Sequence, residues 1–176
     1  MTLPEKINAQ IREVVDFPKE GIVFKDITPV LSHPKLVTEI VGWFVEKAKK
    51  DNIDVIVGVE SRGFLFGMMI AEKLGVPFVP VRKEGKLPAE TIKYSYDLEY
   101  GSATMEIHKD SIKKDQKVMI HDDLLATGGT ALAAAKLVKE LGGKVGNFTF
   151  LIELGFLEGK KKLTQENEAV YSIVTY

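Results

Sequence analysis

Residues 118–130 read VMIHDDLLATGGT, a short apolar run followed by two adjacent aspartates and a glycine-rich turn. The pattern predicts a strand over residues 117–122 and a helix over residues 130–141. Carboxylates are costly to remove from water unless a cation or a hydrogen-bond donor meets them. Two of them at the end of a buried strand therefore indicate a ligand site.

The turn after the aspartates suits a phosphate group. Its glycines let the main chain approach an anion, its threonines add hydroxyl donors, and the helix start presents free N–H groups. These residues are Thr127, Gly128, Gly129 and Thr130. Asp122 and Asp123 suit the vicinal hydroxyls of a ribose, because each carboxylate accepts hydrogen bonds. Ribose 5-phosphate fits both halves of the motif.

A glycine-rich turn has other uses. A P-loop needs G-x-x-x-x-G-K-[ST] and a dinucleotide-binding fold needs G-x-G-x-x-G, and neither pattern occurs in this sequence. The remaining alternative is a plain strand-to-helix turn with Asp122 and Asp123 as solvated caps. The buried strand directly before the acidic pair argues against that alternative.

The rest of the chain alternates strands with helices. Helices are predicted over residues 4–15, 35–49, 64–74 and 130–141, and strands over residues 54–59, 77–81, 94–100, 103–107, 117–122, 145–153 and 170–174. We expect a mobile loop at residues 82–93 and an irregular or short helical segment at 155–167. Such alternation predicts an α/β fold with a largely parallel central sheet flanked by helices. Ligands of such sheets lie beyond the carboxyl ends of the strands, where the acidic pair and its turn fall.

Length and composition exclude several classes of protein. With 176 residues, 45% of them hydrophobic, the chain suits a single domain over residues 1–176. A formal net charge of -1 gives no general attraction to nucleic acid or to an anionic membrane. The chain has no cysteine for disulfides or thiolate metal sites, and no segment reads as a signal peptide or a membrane span. We expect a soluble, cytoplasmic protein.

These motifs resemble those of a known family. VMIHDDLLATGGT resembles the phosphoribosyl-diphosphate-binding signature of type I phosphoribosyltransferases, and DDLLATGGT is the form seen in the adenine-specific members. The stretches DFPKEGIVFKDITPVL, GVESRGFLFG, VRKEGKLP and YDLEYGSATMEIHKD follow the order that the family shows. The resemblance covers nearly the whole chain. It implies the type I fold, with a flexible loop or hairpin and a small hood built from the terminal segments.

The resemblance also implies a reaction. The 5-phosphoribosyl group would pass from phosphoribosyl diphosphate to N9 of adenine, giving AMP and diphosphate in purine salvage. Mg²⁺ would be required and held mainly by substrate oxygens and water, and the protein would form a homodimer. One alternative is a 6-oxo purine as acceptor. Another is a sensor of the donor, but such regulators usually carry a basic DNA-binding domain, for which this chain has neither length nor charge excess.

The resemblance assigns the residues that would bind the donor. Asp122 and Asp123 would hold the ribose hydroxyls. The 5-phosphate would be wrapped by Ala126, Thr127, Gly128, Gly129 and Thr130. The diphosphate would meet Glu60, Ser61, Arg62, Arg82, Lys83 and Lys86, partly across a dimer interface. A cis peptide bond between Glu60 and Ser61 is expected from the same family pattern.

The base and the chemistry are assigned in the same way. Phe24 and Lys25 match the adenine-contacting segment, in which the aromatic side chain lies against the base, although Phe24 suits a core position equally well. Glu99 would be the acid near purine N7, and Tyr100 would be part of the lid. Arg62 would steady the diphosphate during transfer.

His121 departs from the family pattern, which usually has a small aliphatic residue before the two aspartates. We expect its ring to face the opposite side of the strand from Asp122 and to serve the structure rather than catalysis.

Overall fold

The computed structural model describes residues 1–17, 19–97, 102–164 and 168–176. Its strands are β1 (Arg12–Val15), β2 (Val23–Asp26), β3 (Val55–Val59), β4 (Phe78–Lys83), β5 (Thr91–Asp97), β6 (Ser102–His108), β7 (Lys117–Leu125), β8 (Lys144–Glu153) and β9 (Ala169–Thr175). Its helices are α1 (Leu3–Asn8), α2 (Thr28–Leu31), α3 (Pro34–Lys50), α4 (Gly63–Leu74), α5 (Gly129–Glu140) and α6 (Gly159–Thr164), with a 3₁₀ turn at Gly155–Leu157. None of the helices in these ranges is long and apolar enough to cross a bilayer.

Seven strands form one sheet in the order β5-β6-β4-β3-β7-β8-β9. The five strands from β4 to β9 in that order run parallel, while β5 and β6 form an antiparallel hairpin on the β4 edge. The predicted α/β class, with a largely parallel sheet, is therefore confirmed. The carboxyl ends of β3, β4 and β7 lie side by side at one edge, where a ligand site is expected.

Helices cover both faces of the sheet, so the central strands are buried on both sides. In β3 every residue is buried. Val55, Val57 and Val59 pack with α5 on one face, and Ile56 packs with α3 and α4 on the other. This alternation follows from the two-residue period of a strand, and it explains why an unbroken β-branched run occupies the centre of the sheet.

The prediction for residues 4–15 is wrong in its second half. Helix α1 ends at Asn8, and residues 12–15 instead form β1, which pairs antiparallel with β2. Val14 lies opposite Phe24 in this pair, and Val15 is 68% exposed. The helical spacing of the apolar residues was misleading, because the partner strand stabilises an extended conformation that β-branched residues favour.

Two other boundaries differ from the predictions. Arg82 and Lys83 continue β4, opposite Glu106 and Met105 of β6, so the predicted loop over residues 82–93 shrinks to residues 84–90. Strand β7 continues to Leu125, which pairs with Glu153 at the end of β8. The two aspartates therefore lie within a strand, because the long neighbour β8 supplies hydrogen bonds beyond them.

Candidate active site

The turn between β7 and α5 forms the phosphate half of the site. Gly128 has a φ of +80°, and a Cβ there would lie 3.1 Å from the carbonyl oxygen of Gly159. Among the described side chains none caps the first turn of α5, so its N–H groups remain available to an anion. The hydroxyl of Tyr96, from β5, lies 2.9 Å from Thr130 Oγ1 and ties the hairpin to this turn.

The acidic pair lies directly before the turn. The main-chain N–H of Asp123 donates to Asp122 Oδ1 at 2.8 Å, and Arg62 Nε lies 2.9 Å from Asp123 Oδ2. Burial raises the pKa of Asp122 well above its usual value, and the neighbouring charge of Asp123 raises it further. Burial also raises the pKa of Asp123, but the Arg62 guanidinium opposes that shift. Of the two carboxyl groups, Asp122 is therefore the one whose pKa burial and its neighbour raise more.

The turn between β3 and α4 faces the acidic pair. The peptide bond between Glu60 and Ser61 is cis, which confirms the prediction. Gly63 opens α4, and a Cβ there would lie 2.7 Å from the carbonyl oxygen of His121 and 3.2 Å from Asp122 Cα. Only glycine permits this close approach of the two elements. Gly63 therefore sets how closely the turn after β3 approaches the acidic pair.

Two of the cationic side chains predicted for the diphosphate, those of Arg82 and Lys86, contact Glu60, and so does the main chain of Lys83. Lys86 Nζ lies 2.8 Å from Glu60 Oε1, the Lys83 N–H donates to Oε2 at 2.9 Å, and Arg82 Nε lies 3.3 Å from Oε2. Burial would raise the pKa of Glu60, but these three partners lower it to about 2. Glu60 is thus a carboxylate that stays ionised and pairs with the basic residues at the end of β4.

One cavity of about 500 Å³ lies between the turn after β3, the basic residues at and after the end of β4, and the acidic pair on β7. It is lined by Glu60, Ser61, Arg62, Lys83, Lys86, Asp122 and Asp123. Asp122 also lines the adjoining cavity formed by the phosphate turn, so the two cavities meet at this residue. All the predicted donor-binding residues line one of these two cavities except Arg82, whose guanidinium contacts Glu60 and the carbonyl oxygen of Lys86.

The comparisons with known proteins agree with this geometry. Residues 26–174 match the family described as the phosphoribosyl transferase domain. An adenine phosphoribosyltransferase from Thermoanaerobacter pseudethanolicus is 56% identical over 93% of this chain and 94% of its own length. The chain belongs to the adenine phosphoribosyltransferase family. A crystal structure from the same organism has a TM-score of 0.94 at 52% identity and covers 99% of this chain and 100% of its own.

A second solved relative was crystallised with ligands. The adenine phosphoribosyltransferase from Saccharomyces cerevisiae, complexed with adenine and D-2,5-dideoxy-2,5-imino-altritol 1,6-bisphosphate, has a TM-score of 0.91. It is 42% identical and covers 97% of this chain and 98% of its own.

The segment that resembles the family's adenine-contacting stretch lies on β2. Phe24 is half-buried and belongs to neither core cluster, so the alternative of an ordinary core position is not borne out. Its ring packs edge-on against Phe17 at 5.2 Å, and the Arg62 guanidinium carbon lies 5.1 Å from its centroid. The Lys25 ammonium forms an ion pair with Glu13 and lies 4.1 Å from the ring centroid of the C-terminal tyrosine, so its side chain is already engaged.

Two predicted residues of the phosphoribosyltransferase site, Glu99 and Tyr100, lie outside the described residues. The hairpin that carries them is described on both sides, and it contributes a residue that the sequence analysis did not assign. Tyr96 reaches the phosphate turn through its hydroxyl, although the resemblance drew attention only to the neighbouring Glu99 and Tyr100.

His121 lies in the core and, as the residue before Asp122 in β7, faces the opposite side of the strand from Asp122, as predicted. Its ring packs edge-on against Phe44 at 4.7 Å, and Nδ1 lies 3.0 Å from Thr149 Oγ1. Burial lowers the pKa of His121 to about 3, although the contact with Thr149 opposes this shift. Nε2 has no hydrogen-bond partner among the described residues. A neutral imidazole packed between aromatic rings has a structural role.

Proposed function

We propose that this chain transfers the 5-phosphoribosyl group from phosphoribosyl diphosphate to N9 of adenine, giving AMP and diphosphate. The observation that carries the proposal is the junction of two cavities at Asp122. One has the glycine-rich turn suited to a 5-phosphate, and the other has the cations suited to a diphosphate. A ribose that bridges them would place its hydroxyls on the acidic pair.

The residues around the ribose would stabilise the reacting carbon. The bond from this carbon to the diphosphate oxygen breaks, and its bond to N9 of adenine forms. In the transition state positive charge develops on the sugar. Asp122 and Asp123 would hold the hydroxyls, and their negative charge would lie close to the developing cation. Ser61, Lys83 and Lys86 would receive the departing diphosphate, with Arg62 moving between Asp123 and this anion.

Mg²⁺ is the proposed cofactor, and the donor set fits it. Glu60, Asp122 and Asp123 offer hard carboxylate oxygens around one cavity, which Mg²⁺ prefers. Within the described ranges no group of three or more candidate ligands is close enough to hold an ion by itself, so substrate oxygens and water would complete the coordination. When bound, Mg²⁺ would neutralise charge on the leaving diphosphate.

Adenine would lie against Phe24, with main-chain groups of the Phe24–Lys25 segment reading its edge. Half-buried Phe24 and exposed Phe17, packed edge-on, supply an apolar surface for a purine. Glu99 would hydrogen-bond N7 as N9 attacks, and Tyr100 would be part of the lid. The terminal segments would form the hood, since Tyr176 at the C-terminus donates to Asn8 Oδ1 at 2.6 Å.

We further propose a single-domain, cytoplasmic homodimer. The exposed face of α4 supports the dimer, because Leu65, Met68 and Met69 are 43%, 53% and 42% exposed on adjacent turns. An apolar patch of this kind is typical of a surface that another chain covers.

A steady-state assay tests the function. Purified protein is supplied with phosphoribosyl diphosphate, Mg²⁺ and either adenine, hypoxanthine, guanine or xanthine, and nucleotide formation is followed. We expect AMP from adenine and no product from the other bases. An Asp122→Asn/Asp123→Asn variant is the control for contaminating activity. Product from a 6-oxo purine would overturn the base assignment, and absence of product with all four bases would overturn the proposed reaction.

A further inference from the structure

The ammonium of Lys86 depends on a short turn for its position. Lys86 lies in the connection between β4 and β5, and its side chain is 49% exposed. A lysine side chain has several freely rotating bonds, so its ammonium stays near a binding site only if its main chain is held. In this protein the main chain of the turn is held from both sides.

The first support is Glu106 on β6, a residue that is only 2% exposed. Its Oε1 accepts the N–H of Lys86 at 2.8 Å and the N–H of Leu87 at 2.9 Å. Burial would raise the pKa of Glu106, but the N–H groups of Leu87, Lys86 and Gly85 lower it. Gly85 has a φ of +81°, and that conformation lets consecutive N–H groups converge on one anion.

The second support is Arg82 on β4, which lies opposite Glu106 in the sheet register. Arg82 Nη1 donates to the carbonyl oxygen of Lys86 at 3.2 Å. The N–H and the C=O of Lys86 are therefore both fixed by charged side chains of the sheet. With its main chain held in this way, Lys86 extends its ammonium to Glu60, at the rim of the cavity proposed for the diphosphate.

We propose that Glu106 is a positioning residue for the donor: its carboxylate folds the 85–87 turn so that the Lys86 ammonium faces the diphosphate. This inference rests on the proposed function. Glu106 does not line the cavity, so it acts through Lys86 and touches no substrate. A buried carboxylate at this place is otherwise a cost to the fold, because an apolar residue would bury without desolvating a charge.

The test is the Glu106→Gln variant, which keeps the shape and one acceptor oxygen but removes the charge. Because two charge-assisted hydrogen bonds become neutral ones, we expect the KM for phosphoribosyl diphosphate to rise about tenfold. The KM for adenine and the fraction of active sites should stay within about twofold. Glu90→Gln is the matched control, since the Glu90 side chain is 85% exposed on the same connection.

A second arm separates positioning from loss of structure. In a Lys86→Ala background, Glu106→Gln should change the donor KM by less than about twofold, because the group it positions is already gone. If Glu106→Gln lowers kcat and leaves both KM values unchanged, or if its effect persists undiminished without Lys86, the inference is wrong. Gly85→Ala strains the turn in open space and leaves the buried carboxylate intact, so it should also raise the donor KM.

The third arm does not depend on turnover. Calorimetric titration with magnesium pyrophosphate should show weaker binding for Glu106→Gln than for Glu90→Gln, by about the same factor as the donor KM. If the wild-type protein forms no nucleotide but this difference is observed, the inference holds and the proposed reaction fails. Equal pyrophosphate affinity in the two variants would overturn the inference whatever the activity of the wild-type protein.

Discussion

His121 should make the fold sensitive to mild acid. The imidazole would titrate near pH 6.5 in the unfolded chain, whereas burial lowers its pKa to about 3 in the folded protein. Between these values the unfolded chain binds a proton that the folded chain does not. The contribution of this residue to stability is therefore complete above about pH 6.5 and is lost as the pH falls toward 3. From pH 8 to pH 5 the loss is about 2 kcal/mol, at about 1.4 kcal/mol per pH unit.

The measurement compares urea unfolding of the wild-type protein and His121→Val at pH 8 and pH 5. The substitution leaves a space beside Phe44 and an unpaired Thr149 hydroxyl, and both costs are the same at the two pH values. Only the difference between the two pH dependences therefore reports the imidazole. We expect the wild-type free energy of unfolding to fall by about 2 kcal/mol more than that of the variant, or about 4–8 °C in Tm.

A control and a contrary result complete the test. His33→Gln, which removes an exposed imidazole at the start of α3, is the control for losing a histidine outside the core. The carboxylates with shifted pKa values are present in all three proteins, so their contributions cancel. An identical pH dependence in the wild-type protein and His121→Val would refute the argument that the buried ring stays neutral.

Three further outcomes are expected. Burial raises the pKa of Asp122 above its unfolded-state value, so at higher pH the unfolded chain loses this proton more readily and the residue costs stability. Asp122→Asn should therefore raise Tm at pH 8 by a few degrees in thermal unfolding, while nucleotide formation in the steady-state assay falls at least about a hundredfold. Gly63→Ala places a Cβ 2.7 Å from the main chain of β7 and should lower the free energy of unfolding in urea by about 1–3 kcal/mol. Gly42→Ala is the matched control: its Cβ meets nothing closer than 4.0 Å, so it should stabilise α3 by about 0.5–1 kcal/mol. Tyr96→Phe removes the hydroxyl that contacts Thr130 at 2.9 Å. We expect the KM for phosphoribosyl diphosphate to rise about three- to tenfold while Tm changes by no more than about 2 °C. An unchanged KM would show that the phosphate turn is held without the Tyr96 hydroxyl.

The strand, turn and helix start of the acidic and glycine-rich motif were predicted well because they are built from consecutive residues. The glycine-rich turn and the acidic pair of residues 122–130 form one strand, one turn and one helix start, and short-range geometry fixes how such a unit points its donors. The cis peptide bond before Ser61 was predicted from the family resemblance and confirmed by the structure. Residues 12–15 were misassigned because a periodic pattern in a short segment does not reveal that another strand will pair with it.

The sequence by itself therefore determined the class of fold, the chain order of the seven strands in the main sheet, and the residue types proposed to bind a ribose phosphate. Periodicity and turn chemistry act over a few residues, so they can be read without a structure. Only the tertiary structure decided which cations meet which carboxylates. Glu60, Lys86 and Glu106 are far apart in sequence, and their contacts exist because β3, β4 and β6 are neighbours in the sheet. Burial, which lowers the pKa of His121 and raises the pKa of Asp122, likewise depends on helices packed from distant parts of the chain.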